Sequence, residues 1–415
     1  MIKTIYPSII KGSIPAPASK SMMQRAIAIA TLAKGKSILY NYTPCNDSDT
    51  ALLISECLGA TVSVNGTTVT INGGLNPKVD NFSCGEAGLG IRMFTPIASL
   101  CNKKMTLHGE GSLQRRPISM LEQPLTQLGV EITTNQGFVP ITVQGPLQGN
   151  YADVDGSISS QMLTGMLIAL PLAANDTTLN VTDLTSKPYI DMTIDIVKDF
   201  GVTISHDNYK TFSIKGKQTY KAREYSVEGD WSGAAFLLVA AALGGEVTVT
   251  NIRSNSLQAD LQILKAIKSA GAIVESYETN ILVKKHNLQA FEFDATECPD
   301  LFPPLVSLAC HCEGTSTIKG VSRLKHKESD RALVLQTEFA KIGTKIELDG
   351  DSMYVFGKTV SGGTIHANND HRIAMAAAVA ALLSSKAIVI ENAECIAKSY
   401  PSFYDDFAKI GGKVD

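Results

Sequence analysis

The sequence predicts an α/β fold built from one unit repeated six times, divided between two domains of three units each. Three observations carry this. An amphipathic helix pattern stops at a glycine and a hydrophobic strand follows at Gly59, Gly129, Gly201, Gly271, Gly343 and Gly411. The spacings of 70, 72, 70, 72 and 68 residues fill the 415-residue chain, and a fixed period of this kind marks a repeat architecture. A second helix series, apolar on all sides, interleaves with the first, and a helix apolar all round is a buried one.

The glycines sit in the local texts CLGATV, QLGVEI, DFGVTI, SAGAIV, KIGTKI and KIGGKV. Each is placed at the helix C′ position, because only glycine takes the left-handed cap without steric cost. The buried helices read SKSMMQRAIAIATLAKG (19–35), GEAGLGIRMFTPIASL (85–100), SISSQMLTGMLIALPLA (157–173), GDWSGAAFLLVAAALGG (229–245), PDLFPPLVSLACHCEG (299–314) and NDHRIAMAAAVAALLSS (369–385). A short strand follows each: KSILY, KMTLH, TTLNV, EVTVT, STIKG and AIVIE. Then come the amphipathic helix, its glycine and a hairpin such as TVSVNGTTVTI or TKIELDGDSMYVF, whose Asn-Gly and Asp-Gly pairs are strong turn signals. The unit is thus buried helix, strand, exposed helix, strand, strand. The first 18 residues read as strands with no helix before them, and the sixth unit ends soon after its glycine. The N-terminal strands are therefore expected to complete the last unit, giving domains 19–227 and 1–18 plus 228–415.

Composition narrows the function. A net charge of -3 leaves no bulk basic surface, which disfavours nucleic-acid partners. The eight cysteines form no CxxC pair, and Cys310-His311-Cys312 is too tightly spaced for a zinc knuckle. Free thiols suit a reducing cytoplasm. MIKTIYPSIIKG lacks the apolar run and cleavage site of a signal peptide, and no 18-residue apolar segment reads as a membrane span. The expectation is a cytoplasmic enzyme with no metal or organic cofactor, no nucleic acid and no membrane partner, acting as a monomer.

The chemistry is expected where the buried helices begin. A helix N-terminus offers free N–H groups and partial positive charge, so it binds anions, and cations belong at the other end. Lys20, Arg25, Arg92 and Arg372 break that rule at equivalent places. The loops after the short strands add Arg115 and Arg116, then Ser186 and Lys187, then Arg323, Lys325, Lys327, Glu328 and Arg331, and finally Lys398. A single loop Lys or Arg is most often a solvated surface residue, and Ser before a helix an ordinary N-cap. The coincidence at equivalent repeat positions points instead to a ligand with several negative charges. Asp300, Glu328 and Asp370 fall at the same helix starts and loops, either as bases or as partners of the cations.

These residues match a known pattern. SKSMMQRA, RPI, DGSISSQ, SKPYID, KESDR, NDHRIAM and AKSYP, in this order from Lys20 to Lys398, resemble the 5-enolpyruvylshikimate-3-phosphate synthase family of enolpyruvyl transferases. The resemblance implies two domains of three βαβαββ units around central helices, an inverse α/β barrel, with the active site in the cleft between them. It implies transfer of the enolpyruvyl group of phosphoenolpyruvate to the 5-hydroxyl of shikimate 3-phosphate with release of phosphate, on the route to chorismate and aromatic amino acids. Carried over residue by residue, Lys20, Ser21, Arg25, Ser159, Ser160, Gln161, Ser186, Asp300, Arg323 and Lys327 would hold shikimate 3-phosphate. Lys20, Gly88, Arg116, Gln161, Arg331, Arg372 and Lys398 would hold phosphoenolpyruvate. Asp300, Glu328 and Lys20 would move protons.

The chain departs from the family pattern where GNAGTAMR is usual and GEAGLGIR stands, with Glu86 for Asn and Leu89 for Thr. Arg323 occupies a position where many relatives carry Asn. The sister UDP-N-acetylglucosamine enolpyruvyl transferases, a competing reading, typically carry a reactive Cys before the Arg-Pro motif; GEGSLQRRPI has none, and those enzymes lack the SKS and SSQ motifs. A sixfold clamp-like binding ring would need a basic inner face spread over all units and no Asp300 or Glu328.

Overall fold

The computed structural model describes residues 1–415. It contains six four-stranded sheets of one design. The strand after a buried helix pairs on one side with a parallel edge strand and on the other with the antiparallel hairpin. In the second sheet, for example, Lys104–His108 runs parallel to Asn81–Ser83 and antiparallel to Phe138–Gln144, which pairs with Glu131–Asn135. The three-residue edge strands Asn81–Ser83, Glu224–Ser226 and Glu292–Asp294 escape sequence periodicity because they are shorter than the run of about four to eight residues over which alternation can be recognised.

The chain divides into two compact units, Lys20–Val227 and Met1–Ser19 with Glu228–Asp415. In the first, the helix Gly88–Ala98 packs against Lys20–Leu32 and Gln161–Ala169. The approach is close at Gly165, where a Cβ would stand 2.6 Å from the Arg92 carbonyl oxygen. In the second, Trp231–Gly244, Phe302–Ala309 and His371–Ala380 pack mutually, and every residue of the three is buried. The apolar helix series therefore forms the centre of each unit, with sheets and amphipathic helices around it.

The two N-terminal strands do not both complete the sixth repeat, as expected from the sequence; they divide between two sheets. Ile2–Tyr6 lies between Ile388–Glu391 and Lys413–Val414 in the sixth. Ile10–Pro15 pairs in parallel with Gly245–Thr250 in the fourth. The reason is local. A Cβ at Gly245 would stand 2.0 Å from the Ile10 carbonyl oxygen, so the glycine makes room for the strand, which buries Ile10 and Ile14. All six repeat glycines have positive φ, from +85° to +111°. Five follow the helix cap residue directly, and Gly343 stands one residue further on.

No helix is long and apolar enough to cross a membrane. Cys310-His311-Cys312 is helix-end packing. Both thiols donate to carbonyls of their own helix, Ser307 at 3.2 Å and Leu308 at 3.3 Å, and the His311 Nε2 lies 2.8 Å from the Ala380 carbonyl. Burial lowers the imidazole to about 4 and lifts the Cys312 thiol to about 12, so all three stay neutral near pH 7.

Candidate active site

In the unit Lys20–Val227 the helix starts carry the expected side chains. Lys20 opens its helix, and its Nζ forms a 2.8 Å ion pair with Asp47, in the first turn of Asn46–Cys57. One turn further on, Arg25 is 1% exposed. Its Nε donates to Thr193 Oγ1 at 2.9 Å, Nη2 to Thr164 Oγ1 at 3.2 Å and Nη1 to the Ser21 carbonyl at 2.8 Å. None of these partners is a carboxylate. Burial pulls the guanidinium down to about 10, with Tyr189 opposing. A buried cation held only by neutral oxygens leaves its charge uncompensated, which is the state an anionic ligand would relieve.

Ser159, Ser160 and Gln161 open the third buried helix. Ser159 Oγ accepts from the Gln161 N–H at 3.2 Å, whereas the buried Ser160 makes no capping bond. Ser186 stands at the N-cap its position suggests but does not cap with its side chain: it is buried and left-handed at φ 57° and ψ 45°. A non-glycine residue in this region is strained, and such strain gathers at functional sites. Gln161 Oε1 accepts from Arg92 Nη1 at 2.8 Å, while Arg92 Nη2 donates to the Pro117 carbonyl at 3.0 Å. Arg92 thereby ties Gln161 to the loop bearing Arg116. The Arg116 guanidinium lies over Gly88, where a Cβ would meet its three terminal atoms at 2.5 to 2.6 Å. Glu86 secures the same loop, accepting from the Ser112 N–H and Oγ, both at 3.1 Å. The side chain that replaces the usual Asn is thus turned to loop support.

In the other unit the predicted residues form one buried ion network. Arg331, 0% exposed, is the first residue of its helix. Its Nε and Nη2 donate to Asp370 at 2.9 and 3.2 Å, Nη1 to Asp300 at 2.9 Å and Nη2 to Glu328 at 2.5 Å. Lys327 and Arg372 also reach Asp300, each at 3.2 Å. Asp370 caps the sixth buried helix by accepting from the Arg372 N–H, and Lys398 donates to the neighbouring Asn369 carbonyl at 2.7 Å. Arg323 feels Glu297, Asp300 and Asp351 electrostatically. Burial pushes the Asp300 carboxyl up, but Arg372, Lys327 and Arg331 outweigh it and hold the group well below the usual carboxylate range. Burial opposes the charge of Arg331, yet Asp370, Glu328 and Asp300 raise it overall.

Some sequence candidates stay outside. Arg115, Lys187 and Lys325 are exposed, with the Lys187 Nζ 5.8 Å from the centroid of the Tyr209 ring. Others went unassigned: Asp47, Thr164 and Thr193 by any reading, and Arg92 as a group that orients Gln161. Asp47 had a faint signal in the acidic first turn NDSD, but the two threonines had none, lying 139 and 168 residues from Arg25.

Comparison with known proteins gives the family. The model of the family described as EPSP synthase (3-phosphoshikimate 1-carboxyvinyltransferase) matches residues 6–407. The 3-phosphoshikimate 1-carboxyvinyltransferase of Clostridium kluyveri is 36% identical over 416 residues, covering 99% of this chain and 98% of that one. Its Clostridium perfringens counterpart is 36% identical over 414 residues, 98% of each. Among solved structures, EPSP synthase from Acinetobacter baumannii matches with a TM-score of 0.85 and 25% identity, over 100% of this chain and 99% of that one. Because the match spans both units and every motif that carries the buried cations, the chain belongs to the EPSP synthase family, the 3-phosphoshikimate 1-carboxyvinyltransferases.

Proposed function

We propose that this protein transfers the enolpyruvyl group of phosphoenolpyruvate to the 5-hydroxyl of shikimate 3-phosphate and releases phosphate. The observation that supports this most is the buried network in which Lys327, Arg331 and Arg372 converge on Asp300. Both substrates are polyanions. Arg25, Ser159, Ser160, Gln161 and Ser186 suit the phosphate of shikimate 3-phosphate, with Lys20, Ser21, Arg323 and Lys327. Arg116 over Gly88, Gln161, Arg331, Arg372, Lys398 and Lys20 suit the phosphate and carboxylate of phosphoenolpyruvate. Arginine grips such groups in bidentate fashion, and lysine supplies a point charge.

The reaction is addition followed by elimination. The hydroxyl proton goes to Asp300 as the oxygen attacks C2 of phosphoenolpyruvate, and the methylene carbon gains a proton. The tetrahedral adduct then loses a proton from its methyl group, the C2–O bond to phosphate breaks, and the double bond re-forms. Asp300 is a weak base while three cations hold its proton affinity down. Substrate anions arriving at Lys327, Arg331 and Arg372 draw off that field and make it a stronger one. Glu328 and Lys20 serve the methylene proton and the departing phosphate. The arginines hold the reacting groups and offset charge in the transition state. We place the enzyme in the cytoplasm as a monomer. Phosphate release measured with phosphoenolpyruvate and shikimate 3-phosphate tests this reading: release should require both, and release with UDP-N-acetylglucosamine in place of shikimate 3-phosphate would overturn it.

A further inference from the structure

Behind Arg372 lies a carboxylate that the reaction as described does not use. Asp260 sits on the single turn Ala259–Gln262, packed against the helix Trp231–Gly244, and is 2% exposed. Its Oδ1 is buried with no hydrogen-bond partner. Ser232 lies close enough to lower its proton affinity, and the Ser232 Oγ accepts from Arg372 Nη1. Arg372 Nη2 reaches Asp300. Ser232, Arg372 and Asp300 are thus linked by hydrogen bonds, and Asp260 lies buried behind them as an electrostatic neighbour of Arg372 and Asp300. A buried carboxylate oxygen with no partner is costly, and a site that needed only a serine anchor for Arg372 would not require one.

We propose that Asp260 is a positioning residue of the phosphoenolpyruvate site: buried behind Ser232 and Arg372, it sets the field at the Arg372 guanidinium, and when ionised it competes with the substrate anion for that guanidinium's charge. This rests on the reading that Arg372 holds phosphoenolpyruvate. The groups facing Asp260 are Asp230 and Ser232 at the start of its packing helix, the Cys298 thiol and Asp300 on the next loop, and Arg372. Lys265 and Lys268, on the helix that follows Asp260, are exposed. Burial, with help from Asp300, pushes Asp260 up to about 7, against the opposing pull of Arg372 and Ser232. Below that value Asp260 is neutral, and of these two carboxylates Arg372 faces only Asp300 ionised. Above it, a second carboxylate neutralises Arg372, and the substrate anion loses attraction. A bound anion favours the protonated form, so the proton and the anion bind cooperatively.

The test is the pH dependence of the Michaelis constants in the wild type and in Asp260→Asn, which keeps the shape but cannot ionise. Ionisation of the substrates is common to both proteins and cancels in the ratio. From about pH 6 to about pH 8.5 the wild-type KM for phosphoenolpyruvate should rise at least about threefold relative to the variant, the scale of one partly buried charge pair. The ratio for shikimate 3-phosphate should stay flat. Identical profiles for phosphoenolpyruvate, or an equal drift for both substrates, would overturn the proposal. If the variant does not fold, carbon NMR of the wild type labelled at its aspartate carboxyl carbons decides: one aspartate should titrate near neutrality and move to higher pH when phosphoenolpyruvate is added. Absence of any such titration would overturn it too. Wild-type phosphate release is measured first; its absence rejects the assigned reaction, whereas normal release with matching profiles rejects only the role of Asp260.

Discussion

Replacing Arg331 with methionine removes a guanidinium that touches three carboxylates at once. Four hydrogen bonds are lost: two to Asp370, one to Asp300 and one to Glu328. Asp300 keeps Lys327 and Arg372, and Glu328 is only partly buried, so the damage centres on Asp370, whose side chain is fully buried. Breaking a buried pair from one side costs about 3–5 kcal/mol, because the remaining charge is stranded. For a unit of this size that lowers Tm by roughly 6–20 °C, at about 2–4 °C per kcal/mol. Calorimetric unfolding near pH 7.5 measures it. The sign of the pH dependence is a second check. In the wild type Asp300 is held below its unfolded value, so its contribution is full above the ordinary aspartate range and is lost as pH falls through the depressed folded value. In the variant Asp300 has lost one of the three cations that hold it down, so the deficit should shrink as pH falls below the ordinary aspartate range. A loss under about 1 kcal/mol, the scale of an exposed pair, or a deficit that does not change with pH, would refute the reasoning.

Arg25→Ala and Ser160→Ala should raise KM for shikimate 3-phosphate more than for phosphoenolpyruvate; equal effects in steady-state kinetics would contradict the assignment. Asp300→Asn and Glu328→Gln should lower turnover by about 10²-fold or more, the usual scale for acid–base groups, and near-normal turnover with a much lower Tm would leave them as purely structural partners. Gly88→Ala puts a methyl group within 2.6 Å of the Arg116 guanidinium and should raise KM for phosphoenolpyruvate while Tm hardly moves; an unchanged KM would remove Arg116 from that site.

What could be read from the sequence follows from what each feature needs locally. The six glycines stand out because a helix end that turns left-handed all but demands them, and the buried helices because no polar face interrupts them. The cations at helix starts were visible because they oppose the helix dipole. Partners were harder. Arg25 finds Thr164 and Thr193 only after three helices have packed, and Asp260 looks like any aspartate before an amphipathic helix until burial and Ser232 give it meaning. Ser186 reads as a cap, because sequence cannot show that its backbone turns left-handed. The N-terminal strands divide between two sheets because Gly245 opens one edge to Ile10, a long-range fit with no local signal.

The most direct test of the account is the reaction run in deuterium oxide with phosphoenolpyruvate and shikimate 3-phosphate, followed by proton and phosphorus NMR. Addition and elimination pass through a methyl group that gains one proton and gives up another, both exchangeable with solvent through the acid–base side chains. The account predicts phosphate and an enol ether at the C5 oxygen in equal amounts, with deuterium appearing in the vinyl group of the product. Phosphate without the ether would contradict it, and an ether whose vinyl group never acquires deuterium would contradict the proton transfers assigned to Asp300, Glu328 and Lys20.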